Sequence, residues 1–254
     1  MTLPSLSLIQ YSLVFNSLSF AIASMIGAFA FFVMAQKIVG AKYRMALIVS
    51  SIVVLIAGYH YFRILGSWEA AYALQGAEYV PSGKPFNDAY RYIDWLLTVP
   101  LLLVELVLVM QLGKGKTAPL TIKLVIAATA MILLGYPGEI AGDSGTRTFW
   151  GVLSTIPFIY ILYVLWEELG SEINSNSPQV AALLRGTRWI LLATWGFYPT
   201  VYALGSFGLS QGASQVGIQL GYSLADVLAK AGYGLMIFAI AYTKSKEDGS
   251  LPTV

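Results

Sequence analysis

An aspartate and a lysine one helical turn apart stand inside the last apolar stretch of the sequence, as Asp226-Val-Leu-Ala-Lys230. A lysine in the middle of a membrane span costs about 3 kcal/mol or more on insertion scales, so by default it marks a functional site. The carboxylate at i−4 lies on the same helix face and can act as its counterion. The pair suits an imine bond to a carbonyl compound, although a satisfied intramembrane ion pair is an equal alternative at this point.

A second apolar stretch carries four polar residues, Arg91, Asp94, Thr98 and Glu105. At about 100° per residue the other three fall within about 60° of Asp94, so they share one helix face. Asp94 and Glu105 are about 16 Å apart along the helix axis. We expect nearby cations to hold Asp94 ionised and leucine walls to keep Glu105 protonated, which is the order of acidities that outward proton transport needs. The alternative is that these carboxylates only bond neighbouring helices.

The elements that position these residues are long apolar segments. Of 254 residues, 57% are hydrophobic and 11% are charged, which is typical of an all-α membrane protein with several spans. The chain has no cysteine and one histidine, so disulfides and thiolate metal sites are excluded and we expect no metal. Hydropathy predicts a single domain over residues 1–254 with seven transmembrane helices, at 8–36, 43–67, 86–111, 119–137, 146–169, 179–204 and 214–243.

Basic residues orient this seven-helix bundle. With the N-terminus outside, ten of the fifteen lysines and arginines lie at cytoplasmic ends and three lie outside, which is a clear positive-inside bias. The C-terminus is then cytoplasmic. The longest connection, residues 68–85, predicts a small hairpin around Tyr79 to Gly83. No basic run is interleaved with aromatic residues, so nucleic acid is not an expected partner, and the expected surroundings are a lipid bilayer.

Two further motifs are Arg91-Tyr-Ile-Asp94-Trp95 and Trp195-Gly-Phe-Tyr198-Pro199. Together with the lysine motif they resemble the microbial rhodopsins, and among these the xanthorhodopsin-like proton pumps related to proteorhodopsin. The resemblance implies all-trans-retinal on Lys230 as a protonated Schiff base, with Asp94 and Asp226 as its counterion. It also implies that Asp94 is the first proton acceptor and Glu105 the cytoplasmic donor. The expected function is a light-driven outward proton pump in a bacterial plasma membrane, a transporter and not an enzyme.

Flat and compact side chains predict the walls of a retinal pocket. Without the lysine, an aromatic-rich helix is more often ordinary core. The expected wall residues are Tyr92, Trp95, Met131, Gly135, Trp150, Gly151, Trp195, Tyr198 and Pro199.

Three single features extend the resemblance. A lone histidine is usually a core or interface residue, but His60 matches one that bonds the acceptor carboxylate, near a subunit contact. The resemblance also implies a homo-oligomer, a pentamer or a trimer. Gly151 stands where archaeal relatives carry tryptophan, and the gap would admit a xanthophyll carotenoid antenna. The alternative role of Gly151 is close helix packing.

Residues 205–219 contain no carboxylate, so a paired-glutamate release group is not expected there.

Two other functions compete with the pump. A retinal photosensor that signals through a partner protein would use the same pocket, but it does not need a fast donor such as Glu105. An ordinary solute transporter that uses Lys230 as an ion pair predicts no visible absorption after retinal is added.

Overall fold

The computed structural model describes residues 3–87, 89–113, 115–203 and 210–252, without the side chains of residues 202 and 203. Within these residues the chain forms seven long helical spans and a small three-stranded sheet. A π-helical turn divides the seventh span into α7 and α8. The elements in chain order are β1 (Leu6–Ser7), α1 (Leu8–Ala35), α2 (Arg44–Ala71), β2 (Tyr72–Gln75), β3 (Glu78–Pro81), α3 (Ala89–Met110), α4 (Thr117–Glu139), α5 (Ser144–Ser175), α6 (Pro178–Ala203), α7 (Gln211–Asp226), the π turn (Val227–Gly232) and α8 (Tyr233–Glu247).

The predicted fold class, a seven-helix bundle, is confirmed. Local caps explain where two of the helices begin. Ser7 and Gln10 form a capping box at the start of α1, and the Asp143 carboxylate accepts a hydrogen bond from the Thr146 amide at the start of α5. The fifth span is longer than predicted because its helix continues through polar residues to Ser175. The predicted end of the sixth span at 204 and the loop residues 205–209 lie outside the described residues.

The outer surface of the bundle is apolar. Large hydrophobic side chains such as Ile9, Phe20 and Ile126 are mostly exposed, which is unfavourable in water and expected against lipid. Of the described helical spans, six are long and apolar enough to cross a membrane. The sixth span is not among them, since Arg185 and Arg188 reduce its hydropathy. Consecutive spans pack against each other, and Asp94, Asp226 and Lys230 are buried between them.

The predicted hairpin exists, but its predicted position was wrong. Strands β2 and β3 pair antiparallel, with Gln75 opposite Glu78, so the turn lies at Gly76 and Ala77. Gly76 has a positive φ of 62°, which a two-residue hairpin turn favours and glycine adopts readily. The segment expected to form the turn is instead β3, whose Tyr79 stacks on Tyr11 of α1 with ring centroids 3.6 Å apart. The hairpin covers one end of the bundle, called here the hairpin end.

At the opposite end, the C-terminal segment is tied to the start of α2 and the end of α3. Lys42 Nζ lies 2.8 Å from Asp248 Oδ2, and the Tyr43 hydroxyl donates to the same oxygen over 2.6 Å. Lys244 Nζ donates to the Met110 carbonyl over 2.8 Å, which satisfies a backbone acceptor at the end of α3.

We expect the C-terminal segment to loosen in acid. Hydrogen bonds from Lys42 and Tyr43 lower the pKa of Asp248 below its ordinary value. Its contribution to stability is therefore present above the unfolded pKa of about 3.9 and is lost as the pH falls through the lower folded value. Amide hydrogen exchange at residues 245–250, corrected for intrinsic rates, should rise in that range. Asp248→Asn should remove the pH dependence, and a wild-type profile without one would contradict the prediction.

Candidate functional site

Lys230 lies in the π-helical turn of the seventh span, Val227–Gly232. Such turns interrupt α-helices rarely and are frequent at functional sites. The side chain is almost completely buried, and its Nζ lies 2.6 Å from Asp226 Oδ1 and 3.0 Å from Asp94 Oδ2. The structure thus places one buried amine between two buried carboxylates that come from different spans.

Asp226 is the better satisfied of the two carboxylates. In addition to Lys230, it accepts hydrogen bonds from the Tyr61 hydroxyl over 2.8 Å, from the Trp95 indole over 3.1 Å and from the Tyr198 hydroxyl. Several donors on one carboxylate stabilise its charged form. Asp226 is therefore held as a fixed anion next to the amine.

Asp94 has fewer partners. Apart from Lys230, its nearest polar neighbour is His60, with Nδ1 3.9 Å from Oδ1, which is too long for a hydrogen bond. The same Nδ1 lies 2.9 Å from the Ile56 carbonyl, so it carries a hydrogen and donates it there. Within the described residues, Lys230 is the one close cationic neighbour of the Asp94 carboxylate, and no other side chain donates a hydrogen bond to either of its oxygens. The Thr98 hydroxyl donates to the Asp94 backbone carbonyl over 2.8 Å, not to the carboxylate.

Arg91 is buried within the first turn of α3, at the hairpin end. Its guanidinium donates to the Tyr61 hydroxyl over 3.0 Å and to Gln219 Oε1 over 2.6 Å. We expected the arginine beside Asp94, but these bonds connect it through Tyr61 to Asp226. Sequence reasoning missed Tyr61 and Gln219. The only signal for Tyr61 was its place beside His60 in an apolar span, and Gln219 gave none.

Glu105 is completely buried, and its hydrogen-bonding neighbour is Ser50 of α2. Glu105 Oε2 lies 2.5 Å from Ser50 Oγ, which also lies 3.1 Å from the Ala46 carbonyl. The single hydroxyl hydrogen of Ser50 serves one acceptor at a time, and the carbonyl can only accept. If Ser50 donates to Ala46, a protonated Glu105 completes the chain by donating to Ser50. An ionised Glu105 would leave Oε1 buried without a partner among the described residues, which is costly.

A cavity of about 390 Å³ extends from Lys230 between α3, α4, α5 and α6. Its walls are mostly aromatic and aliphatic, and its size is within the range of small-molecule sites. At Gly135, where α4 approaches α3 and α5, a Cβ would make a tight contact of 3.3 Å with Ser154 Oγ and would lie 3.6 Å from the Tyr92 ring. Among the predicted cofactor-binding residues, those that line the cavity are Tyr92, Trp95, Met131, Gly135, Gly151, Trp195, Tyr198, Pro199 and Lys230.

Trp150 is the predicted wall residue that the structure does not bring to the cavity. Its ring packs edge-on against Phe149, with centroids 5.5 Å apart. The residues of α5 that line the cavity near this position instead include Thr148, Gly151, Val152 and Thr155. Other lining residues had not been singled out by sequence, because ordinary apolar positions carry no chemical signal. They include Val99, Ile132, Ser154, Phe158, Tyr222 and Ala229.

Comparisons with known proteins agree with this geometry. Residues 13–244 match the family described as bacteriorhodopsin-like protein. A green-light absorbing proteorhodopsin from Gamma-proteobacterium EBAC31A08 is 31% identical over 226 residues, which are 88% of this chain and 84% of the relative. The structure of xanthorhodopsin, "a light-driven ion pump with dual chromophore", matches with a TM-score of 0.93 and 56% identity over 97% of this chain and 99% of that one.

A thermophilic rhodopsin structure matches with the same TM-score, identity and coverage. Six described helices can cross a membrane, and the relatives include bacterial rhodopsins. The chain is therefore a multi-pass plasma-membrane protein that belongs to the bacteriorhodopsin-like family.

Proposed function

We propose that this protein is a light-driven outward proton pump with retinal bound to Lys230. The observation that carries the proposal is the Lys230 amine at one end of an apolar cavity, between two carboxylates that differ in their hydrogen bonding. Membership in the rhodopsin family supports retinal on a lysine, and proteorhodopsin and xanthorhodopsin are among the relatives. The proposed unit is one domain over residues 1–254.

The residues of the cavity fit retinal. Within the described chain, Lys230 is the one lysine among the lining residues, and the walls offer flat indole and phenol rings to a conjugated hydrocarbon. Retinal bound there would supply absorption of visible light and a light-driven change of shape at the Lys230 nitrogen. All other parts of the proposed mechanism belong to side chains of this protein.

Asp94 is the proposed acceptor of the proton held at Lys230 Nζ. Its Oδ2 lies 3.0 Å from that nitrogen, within reach for direct proton transfer. Asp226 is closer, but three side chains besides the lysine donate to it, so protonation would cost it more hydrogen bonds. Asp94 would lose fewer hydrogen bonds when it is protonated. His60, 3.9 Å away, is proposed to bond the protonated carboxyl after a small side-chain movement.

Glu105 is the proposed donor that returns a proton to Lys230 from the other side. Ser50 Oγ lies 2.5 Å from its carboxyl, and the complete burial of Glu105 favours the neutral acid. Thr98 and Arg91, on the same face of α3 as both acids, are proposed to position Asp94 and to hold the charge at the hairpin end. The proposed orientation puts the hairpin end outside, so protons would leave past Arg91, Tyr61 and Gln219.

Light-induced pH changes in cells that contain the retinal-loaded protein test the pump directly. Moving one charge against 100 mV costs about 2.3 kcal/mol, so light must drive the transport. We expect acidification of the medium that an uncoupler abolishes. Pigment that forms without uncoupler-sensitive acidification would reject the pump and favour the photosensor. The homo-oligomer, a pentamer or a trimer, remains a prediction.

A carotenoid antenna at Gly151 is the finer part of the proposal. The cavity includes Thr148, Gly151 and Thr155 of α5, and α5 is the least enclosed of the six apolar helices. A xanthophyll that lies against this helix could bring its ring to the cavity at Gly151, where no side chain intervenes. The xanthorhodopsin structure, which is described as having a dual chromophore, supports this reading.

We expect Gly151→Trp to abolish carotenoid-sensitised pumping while pumping excited through retinal is kept, because an indole would fill the gap. Action spectra recorded with and without a hydroxycarotenoid measure both activities. Gly27→Trp is a matched control, since Gly27 is an exposed glycine of α1 with open space at its Cβ position. Sensitised pumping that survives in the Gly151 variant would show that the antenna does not bind there.

A further inference from the structure

A second cavity, which shares no lining residue with the first, lies between α4 and α5 at the end opposite the hairpin. Its volume is about 520 Å³. Two lysines, Lys116 and Lys123, line the α4 side, and Glu167 and Glu168 line the α5 side. The rings of Tyr160 and Tyr163 lie on α5 toward the middle of the bilayer. We call this feature the four-charge groove.

The charges of the groove are not paired with each other. Within the described residues, no ion pair of 4.0 Å or less involves Lys116, Lys123, Glu167 or Glu168. Positive and negative side chains that line the same groove without forming ion pairs are suited to a ligand that carries both a positive and a negative charge.

Lys123 lies deeper in the bundle than Lys116. It is six residues beyond Thr117 at the start of α4, or about 9 Å along the helix axis. It is exposed, and Ile122 and Ile126 beside it are 59% and 64% exposed on the lipid-facing surface. A lysine at this depth is costly unless its amine reaches an anion at the interface. In the described residues no carboxylate provides that anion, so a lipid phosphate is the natural partner.

We propose that the four-charge groove binds one phospholipid with an ethanolamine head group. The phosphate would accept hydrogen bonds from the two lysines, and the primary ammonium would donate to Glu167 and Glu168. The tyrosine rings would contact the glycerol and the first methylene groups, where aromatic side chains commonly lie in membranes.

This chemistry distinguishes the head groups of common phospholipids. Phosphatidylglycerol satisfies the lysines but brings no cation to the carboxylates. Phosphatidylcholine has a cation, but its three methyl groups leave no N–H to donate. Of these three lipids, phosphatidylethanolamine is the one whose head group matches both walls of the groove.

Native mass spectrometry of the full-length protein, released from nanodiscs with equal amounts of the three lipids, tests the proposal. We expect one retained phosphatidylethanolamine. Lys123→Met should lower its occupancy roughly fivefold, as expected for the loss of one charge-assisted hydrogen bond. Lys37→Met, an exposed lysine at the same end of the bundle, should leave it unchanged. Glu168→Gln should reduce the preference for phosphatidylethanolamine over phosphatidylglycerol by roughly threefold.

Circular dichroism and gel filtration of each variant separate a lost site from a lost fold, without relying on pigment. Should the Lys123 variant lose its secondary structure or aggregate, Glu168→Gln alone decides through the change in head-group preference. The proposal is overturned if the folded Lys123 and Lys37 variants retain lipid equally, or if the three lipids are retained alike. It is also overturned if millimolar glycerophosphoethanolamine displaces the lipid completely, because the ligand would then be a soluble head group.

Discussion

Lys230→Ala is expected to abolish the visible absorption band that forms when retinal is added to the apoprotein. The cavity has one lysine among its described lining residues, and without a primary amine the aldehyde has no group for a covalent bond. The two carboxylates would also lose their shared cation, so free retinal would meet an uncompensated negative site. The measurement is an absorption spectrum of purified apoprotein before and after retinal is added.

Lys244→Ala provides the matched control for this experiment. Lys244 is also a buried lysine of the seventh span, but it donates to the Met110 carbonyl and does not line the cavity. We expect this substitution to lower the free energy of unfolding by about 1–2 kcal/mol, because one backbone acceptor is left unsatisfied. The variant should keep its colour. A Lys230 variant that forms the band as well as wild type would reject the covalent site. A wild-type protein that stays colourless would favour the solute transporter.

Glu105→Gln is expected to slow the return of a proton to the Lys230 nitrogen by about 10²-fold, the usual contribution of one positioned general acid. Glutamine keeps the shape of the side chain and the contact with Ser50, so the pigment should form normally. The proton would then have to come directly from water across the apolar cluster around Leu102, Leu106 and Trp195. Flash photolysis at neutral pH measures the decay of the unprotonated pigment.

Ser50→Ala is the companion variant, because it removes the hydroxyl that holds Glu105 while leaving the acid in place. Its effect should be smaller than that of Glu105→Gln, and a permeant weak acid should restore the rate only in the glutamine variant. Decay kinetics that do not change in Glu105→Gln would reject the donor role. The proposal would then need a donor outside α3.

Much of the bundle follows from local patterns. Hydropathy predicted the seven spans because each one must bury its own backbone polar groups in lipid as a helix. The stripe of Arg91, Asp94, Thr98 and Glu105 follows from the helical repeat alone, and the structure buries all four. The i−4 spacing placed Asp226 beside Lys230, at 2.6 Å.

Contacts between helices did not follow from the sequence. The π turn at Lys230 rotates the lysine relative to a regular helix. The residue types in that turn did not predict it. Ser50 beside Glu105 and Tyr61 beside Asp226 depend on how α2 is rotated against α3 and the seventh span. That rotation is set by the packing of many side chains at once.

Hydropathy and helical spacing are local properties of the chain, so they predict that one amine and three acids lie inside a bundle of apolar helices. The difference in hydrogen bonding between Asp94 and Asp226 depends on the fold, since the donors around Asp226 come from α2, α3 and α6. Distances between separate helices depend on their mutual packing, and that packing decides how the two carboxylates differ.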